Sequence, residues 1–233
     1  MREPFDTESY YHVYNRGVDK RTIFCGEQDF RRFYESMYLF NDQTYFHAGG
    51  NSIEKDIRLS AHEVLSDDRK PLVRIVAYCL MRNHFHLLLQ QCVEEGISKF
   101  LHRVGMGYAK YFNLKYDRTG SLFESQFNAK PAQSEAHFQW LPRYIHMNAL
   151  DGTEIAWRDD GKLDWTRGHA VLDAYPWSSH HFYSTDEQEL PLVDEKIVRT
   201  WFPTGEVYRR YLELSPSPGD GEDQWNQAIP VTK

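Results

Sequence analysis

The stretch VRIVAYCLMRNHFHLLLQ, residues 73–90, decides the fold. Two apolar runs, VRIVAYCLM and HFHLLLQ, are separated only by Arg82 and Asn83. Apolar segments of this length joined by a two-residue turn specify a β-hairpin. With so few polar positions on either strand, the hairpin is expected at the centre of a sheet.

Reading outward, YYHVYNR at 10–16 ends at Gly17 and reads as a first strand with a turn behind it. Phe30, Phe33, Tyr34, Met37 and Tyr38 recur near helical spacing, which predicts an amphipathic helix over 27–41. Residues 42–70 are polar, with GGN at Gly49 and SDDRK at Ser66, and read as an insertion carrying a short helix around 57–65. On the other side, 96–116 forms a long helix with Ile97, Phe100, Leu101, Val104, Tyr108, Tyr111 and Phe112 on its apolar side. Gly120 ends it, 122–129 is expected as a fourth strand, and 135–148 as a further helix kinked or restarted at Pro142. Strand, helix, strand, strand, helix, strand is the α+β, ferredoxin-like (RRM-like) order, an antiparallel sheet with helices on one face. That architecture hosts many functions and decides none.

The 233 residues suit one compact domain with an extension. Residues 1–150 form the expected domain; 151–233 form an extension with Trp157, Trp165 and Trp177, a helix over 206–214 and a loose tail from Ser215. Aromatic content of 15 %, spread along the chain, argues against long disorder. MREPFDTESY lacks a basic segment followed by an apolar one, and no uncharged apolar run reaches the roughly 18 residues of a membrane span. A cytoplasmic protein without a membrane partner is expected. Cys25, Cys79 and Cys92 are odd in number and far apart, so a disulfide framework and a thiolate zinc site are both set aside.

The net charge of −7 is unevenly placed. Residues 1–150 hold 19 basic against 18 acidic side chains, whereas 151–233 hold 8 against 16. Within 96–150, Lys99, Arg103, Lys110, Lys115, Arg118, Lys130 and Arg143 face only Asp117, Glu124 and Glu135. A local basic surface on an acidic protein keeps nucleic acid within reach, although a solvated helix face gives the same pattern.

On a strand, side chains two apart share a face, so His84 and His86 project together. Two imidazoles in an apolar strand are costly to bury without a shared ligand, and a metal is the economical explanation. Imidazole suits Mn, Co, Ni or Zn, and few protein ligands leave positions open for substrate oxygens. In RYIHMN, residues 143–148, Tyr144 and Asn148 are four apart and share a helix face. Asn148 offers an amide oxygen, with the Tyr144 phenol one turn away. Taken alone, that pairing reads more readily as a core tyrosine before a helix-terminal asparagine.

The blocks YHVYNRG (11–17), AYCLMRNHFHLLL (77–89), YFN (111–113), GSLFESQFNAKP (120–131), YIHMN (144–148) and YPWSSHHFY (175–183) together resemble the REP-associated tyrosine transposases, a branch of the HUH endonucleases. The resemblance covers roughly three quarters of the chain, and its specificity lies in the order and spacing of the blocks. It implies a divalent ion, Mg or Mn, held by His84, His86 and Asn148, with Tyr144 as nucleophile. The activity implied is that of a single-stranded DNA endonuclease and strand transferase, forming a 5′-phosphotyrosine intermediate beside a DNA hairpin and working as a monomer or homodimer. Arg82 stands where the family usually has proline, and the 42–70 insertion is a second departure. Arg16, Arg82, Lys110, Lys115, Arg118 and Lys130 are the expected DNA contacts, with Tyr108, Tyr111 and Phe123 as base-stacking candidates. Two rival readings are a phosphodiesterase that uses water and a DNA-hairpin binding protein without turnover.

Overall fold

The computed structural model describes residues 4–44, 68–155, 157–158 and 163–214. Strand β1 spans Tyr10–Arg16, helix α1 Glu27–Leu39, strands β2 and β3 Val73–Met81 and His84–Gln91, and helix α2 Gly96–Lys115. They are followed by β4 (Asn128–Pro131), α3 (Glu135–Met147), a 3-10 turn over Asn148–Leu150, and α4 (Trp165–Ala174), α5 (His180–Thr185), α6 (Glu195–Trp201) and α7 (Gly205–Leu214). The expected helix at 57–65 and the tail beyond 214 lie outside the described residues.

The strands form one sheet in the order β2-β3-β1-β4, all neighbours antiparallel, which is the ferredoxin-like order. Met81 pairs directly with His84, so the turn is the expected Arg82-Asn83 pair. It is held from outside. The Arg82 carbonyl accepts from Ile23 N at 2.8 Å and Phe24 N at 3.0 Å, and the Asn83 carbonyl accepts from Gly17 N at 2.9 Å. Arginine in place of proline therefore leaves the turn well anchored. No helix among the described residues is long and apolar enough to cross a membrane.

Alternation along β3 sends Phe85 and Leu87 to one face and His84 and His86 to the other. On the first face α1 and α2 build the core: the Phe33 ring packs 4.9 Å from Phe85 and 5.1 Å from Tyr108. Phe33 and Tyr108 are fully buried, and each such ring contributes about 1.5–3 kcal/mol of transfer free energy. Helix α3 takes the opposite face, with Phe138 against Tyr10 at 4.1 Å and Tyr144 against the histidines. The segment after α4 lines the outer edge of β2, where Leu80 N donates to Trp177 O, Ser179 N to Tyr78 O, and Asp194 N to Ile75 O.

The fourth strand is displaced from its expected position. Residues 122–127 are irregular apart from a single bridge between Phe123 and Gly17, and the ladder with β1 begins only at Asn128. The cause is on β1. The Asn15 side-chain amide donates to the carbonyls of Ser125 and Gln126, both at 2.9 Å, and occupies groups that a backbone ladder would use. The ends of the 42–70 insertion are pinned together: Gln43 N donates to Lys70 O, and the Asn41 amide bonds Leu72 N, Val73 N and Val73 O.

Asp29 locks α1 to the end of α2. Its buried carboxylate accepts from the backbone of Cys25 and Gly26, from the Tyr111 and Tyr116 hydroxyls, and from Lys115 Nζ at 2.7 Å. Burial pushes its pKa up, but the hydrogen bonds from Lys115, Tyr116, Tyr111 and Cys25 outweigh it and leave the pKa below the usual 3.8. A folded-state pKa below the unfolded one stabilises the protein above the unfolded value, and that stabilisation is lost as pH falls through the folded value. Asp29→Asn is therefore expected to cost about 2 kcal/mol at pH 7, the scale of a charged hydrogen bond. Urea unfolding of both proteins at pH 7 and pH 3 checks it; the difference should shrink at the lower pH.

Candidate active site

β1 and β3 present the imidazoles, and α3 closes over them. In the register of the two strands Arg16 lies opposite His84 and Tyr14 opposite His86, which places His12 diagonally beside His86 on the same face. The His84 and His86 rings meet edge to face at 5.0 Å. His12 stacks on His86 with ring centroids 5.0 Å apart and planes 14° off parallel, and His12 Nε2 lies 2.8 Å from His86 Nδ1. His84 Nδ1 sits 2.6 Å from Asn83 Oδ1, while His86 Nε2 is buried with no hydrogen-bond partner among the described residues.

All three imidazoles are held neutral. Burial, with Lys130 and His137 adding repulsion, pushes His12 down to about 3. Burial with Arg16 and Arg158 nearby does the same for His84, to about 3, and burial with His84, His12 and Arg158 takes His86 well below its usual value. Neutral imidazoles keep a ring lone pair, the form in which histidine ligates metals.

Tyr144 enters from α3. Its ring lies 5.8 Å from His86 and 5.7 Å from His12, both edge to face. It is 2 % exposed. Trp140 stacks on it at 5.0 Å, Trp157 meets it at 6.1 Å, and the Arg158 guanidinium lies 5.7 Å from the ring centre. Burial raises the Tyr144 pKa, and Arg158 opposes that rise by charge and by a hydrogen bond. Asn148 caps α3, its amide nitrogen donating to Tyr144 O at 2.7 Å. Its Oδ1 accepts from Arg158 Nη2 at 3.0 Å, and the same Nη2 binds Asp151 at 2.8 Å.

Of the residues named from the sequence, His84 and His86 share a sheet face that Tyr144 meets from α3, while Asn148 is linked to them through Arg158, which lies near both histidines. Two neutral imidazoles and the unmatched His86 Nε2 fit a divalent ion. Among the described residues no three His, Cys, Asp or Glu side chains are grouped to hold one, and the amide oxygen of Asn148 is engaged by Arg158 at 3.0 Å. Sequence reasoning missed His12, Tyr14, Trp157 and Arg158. The pairing of His12 with His86 was available in principle from the period-2 faces of both strands, but only once their register was known.

The expected DNA contacts divide. Arg16 borders His84 but is ion-paired with Glu124 at 3.1 Å, and Lys130 lies half-buried across from His12. Arg82 is exposed at the hairpin turn and Lys110 half-buried on α2. Lys115 is taken up by Asp29, and Arg118 hydrogen-bonds Asn113 at 2.8 Å. Tyr108 is wholly buried with its hydroxyl on the Ile23 carbonyl, and Tyr111 bonds Asp29, so both are committed to the core side. Phe123 is partly buried against the core.

Residues 49–148, somewhat under half of the chain, match the family model described as IS200-like transposase. β1, with His12, and Arg158 fall outside the matched segment. No curated protein matches the chain. A solved structure described as a REP-associated tyrosine transposase bound to a REP hairpin is similar over 82 % of this chain and 88 % of that one, at 10 % identity and a TM-score of 0.46.

Proposed function

We propose, from the match of residues 49–148 to the IS200-like transposase model and from the geometry of the site, that this protein is a divalent-metal-dependent single-stranded DNA endonuclease and strand transferase of the REP-associated tyrosine kind, with Tyr144 as nucleophile. The observation that carries this reading is the approach of the Tyr144 ring to within 5.8 Å of His86, across two elements far apart in sequence.

His84, His86 and Asn148 would hold the ion, Mg or Mn. Bound there, it supplies Lewis-acid stabilisation of charge on the scissile phosphate. The Tyr144 oxygen loses its proton and attacks phosphorus in line; the bond to the 3′ oxygen breaks, and that oxygen leaves as a protonated 3′-hydroxyl. The phosphodiester is exchanged for a phosphotyrosine on the 5′ side, so a second 3′-hydroxyl can reverse the step and join strands. Arg158, beside the phenol, favours its anion and offsets part of the effect of burial, which still holds the Tyr144 pKa above its usual value. Trp140 and Trp157 flank the phenol on its other sides, and the Trp157–Arg158 segment has to yield for a phosphate to reach it.

The burial of Tyr144 is the one observation that favours a second reading, a phosphodiesterase in which water replaces the phenol. The two differ in whether protein becomes attached to DNA.

The proposed substrate is an unpaired strand beside a hairpin, passing Arg16, Arg82 and Lys130. An oligonucleotide with a hairpin and an unpaired flank should be cut in the flank in the presence of Mn. The same sequence fully paired should be cut at least about tenfold more slowly, since pairing charges the cost of opening the duplex against the step. Equal rates on a denaturing gel would refute the single-strand requirement.

A further inference from the structure

We infer that His12 is a positioning residue for the metal site: its hydrogen bond to His86 Nδ1 fixes the ring plane and tautomer of His86 so that the Nε2 lone pair faces the ion. The inference rests on the metal reading above and extends it to a strand that lies outside the matched family segment.

The two nitrogens, His12 Nε2 and His86 Nδ1, are 2.8 Å apart, and a neutral imidazole carries one proton. One proton therefore occupies the space between them. If it belongs to His12, His86 must carry its own proton on Nε2, a nitrogen with no hydrogen-bond partner among the described residues, and no lone pair is left there for an ion. If it belongs to His86 Nδ1, Nε2 is a bare lone pair, and a cation completes it. Only the second arrangement makes His86 a ligand. A histidine ligand commonly has its second ring nitrogen fixed by an outer partner of this kind, and here the partner is another imidazole.

The fold also makes His12 suitable to hold the ring still. Its near-parallel stack leaves His86 little freedom to rotate, and His12 is itself confined by Tyr14 at 5.4 Å and by the edge of Tyr144 at 5.7 Å. Both histidines are about 1 % exposed. His12 is tied to His86 and touches no reacting atom, so its effect should fall on metal affinity and ligand geometry first.

The test uses the full chain and two substitutions. Mn(II) binding by calorimetry and the visible spectrum of added Co(II) are measured for the parent, His12→Phe and His12→Gln, with circular dichroism as a check on folding. His12→Phe keeps the ring and removes the acceptor; Mn affinity should fall about 10- to 100-fold and the Co(II) bands should shift. His12→Gln offers an amide oxygen to the Nδ1 proton and should recover most of that loss. Equal affinities and spectra for the parent and His12→Phe would overturn the inference while leaving the metal site intact. A parent that binds neither ion would overturn the metal reading itself. A third measurement needs no substitution: long-range proton–nitrogen correlations in the parent should show His86 protonated at Nδ1, with its Nε2 resonance moving on addition of Zn(II). A proton on His86 Nε2 that persists with Zn(II) would equally overturn the inference.

Discussion

Tyr144→Phe should eliminate the covalent protein–DNA adduct and lower strand cleavage by about 10³-fold or more, the scale on which loss of a nucleophile acts. The parent protein, given a labelled single-stranded substrate with Mn and run on a denaturing gel, should show protein attached to the 5′ side of the break. The substitution is suited to the question because it removes one oxygen and keeps the ring that Trp140 stacks on, so the fold should be undisturbed. Peptide mapping should place the nucleotide on Tyr144. The control that matters is Tyr14, whose ring lies 6.1 Å from His86 on the same face. Tyr108 and Tyr111 are poor rivals, since their hydroxyls are bonded to Ile23 O and Asp29. Cleavage without an adduct, surviving in Tyr144→Phe, would transfer the role of nucleophile to water.

The second large effect is expected from the histidine pair. Substituting His84 and His86 together with alanine should reduce Mn-dependent cleavage to background and abolish Mn binding. The sheet should persist by circular dichroism, because β3 is laddered to β1 on one side and β2 on the other through backbone groups the substitutions leave alone. Calorimetric titration with Mn and a cleavage assay, run on the same preparation, separate loss of the ion from loss of the fold. Undiminished cutting by the double variant would mean that the site lies elsewhere.

Much of this architecture was legible in the sequence because its strongest signals are local. The hairpin at 73–90 combines two apolar strands with a two-residue turn, and β1 and β3 alternate with a period that assigns each side chain a face. Position β4 escaped because the side chain of Asn15, more than a hundred residues earlier, takes the carbonyls of Ser125 and Gln126. The same limit governs the site. His84 and His86 announce themselves by spacing, whereas the link from His12 to His86 spans 74 residues and has no local signature. Lys115 could be read as a phosphate contact only because its partner Asp29 is 86 residues away. Arg158 lies in an acidic extension where nothing in the composition points to Tyr144.

Helix α3 is fastened along its far side as well as over the site. His146, two residues past Tyr144, shares 2.6 Å hydrogen bonds with the Tyr208 hydroxyl and the Ser179 hydroxyl, and Arg143 Nε donates to Leu212 O at 3.0 Å. Tyr208 is wholly buried and bonded in turn to His180, which meets Asp173. In mechanical language the helix is a beam clamped to the end wall, not an arm on a pivot. Carrying Tyr144 outward would drag α7 with it or strand two imidazoles and two hydroxyls in an apolar interior. On the proposed function, travel during a reaction cycle would therefore fall to the DNA, threading past a stationary phenol, and to the short Trp157–Arg158 segment beside it.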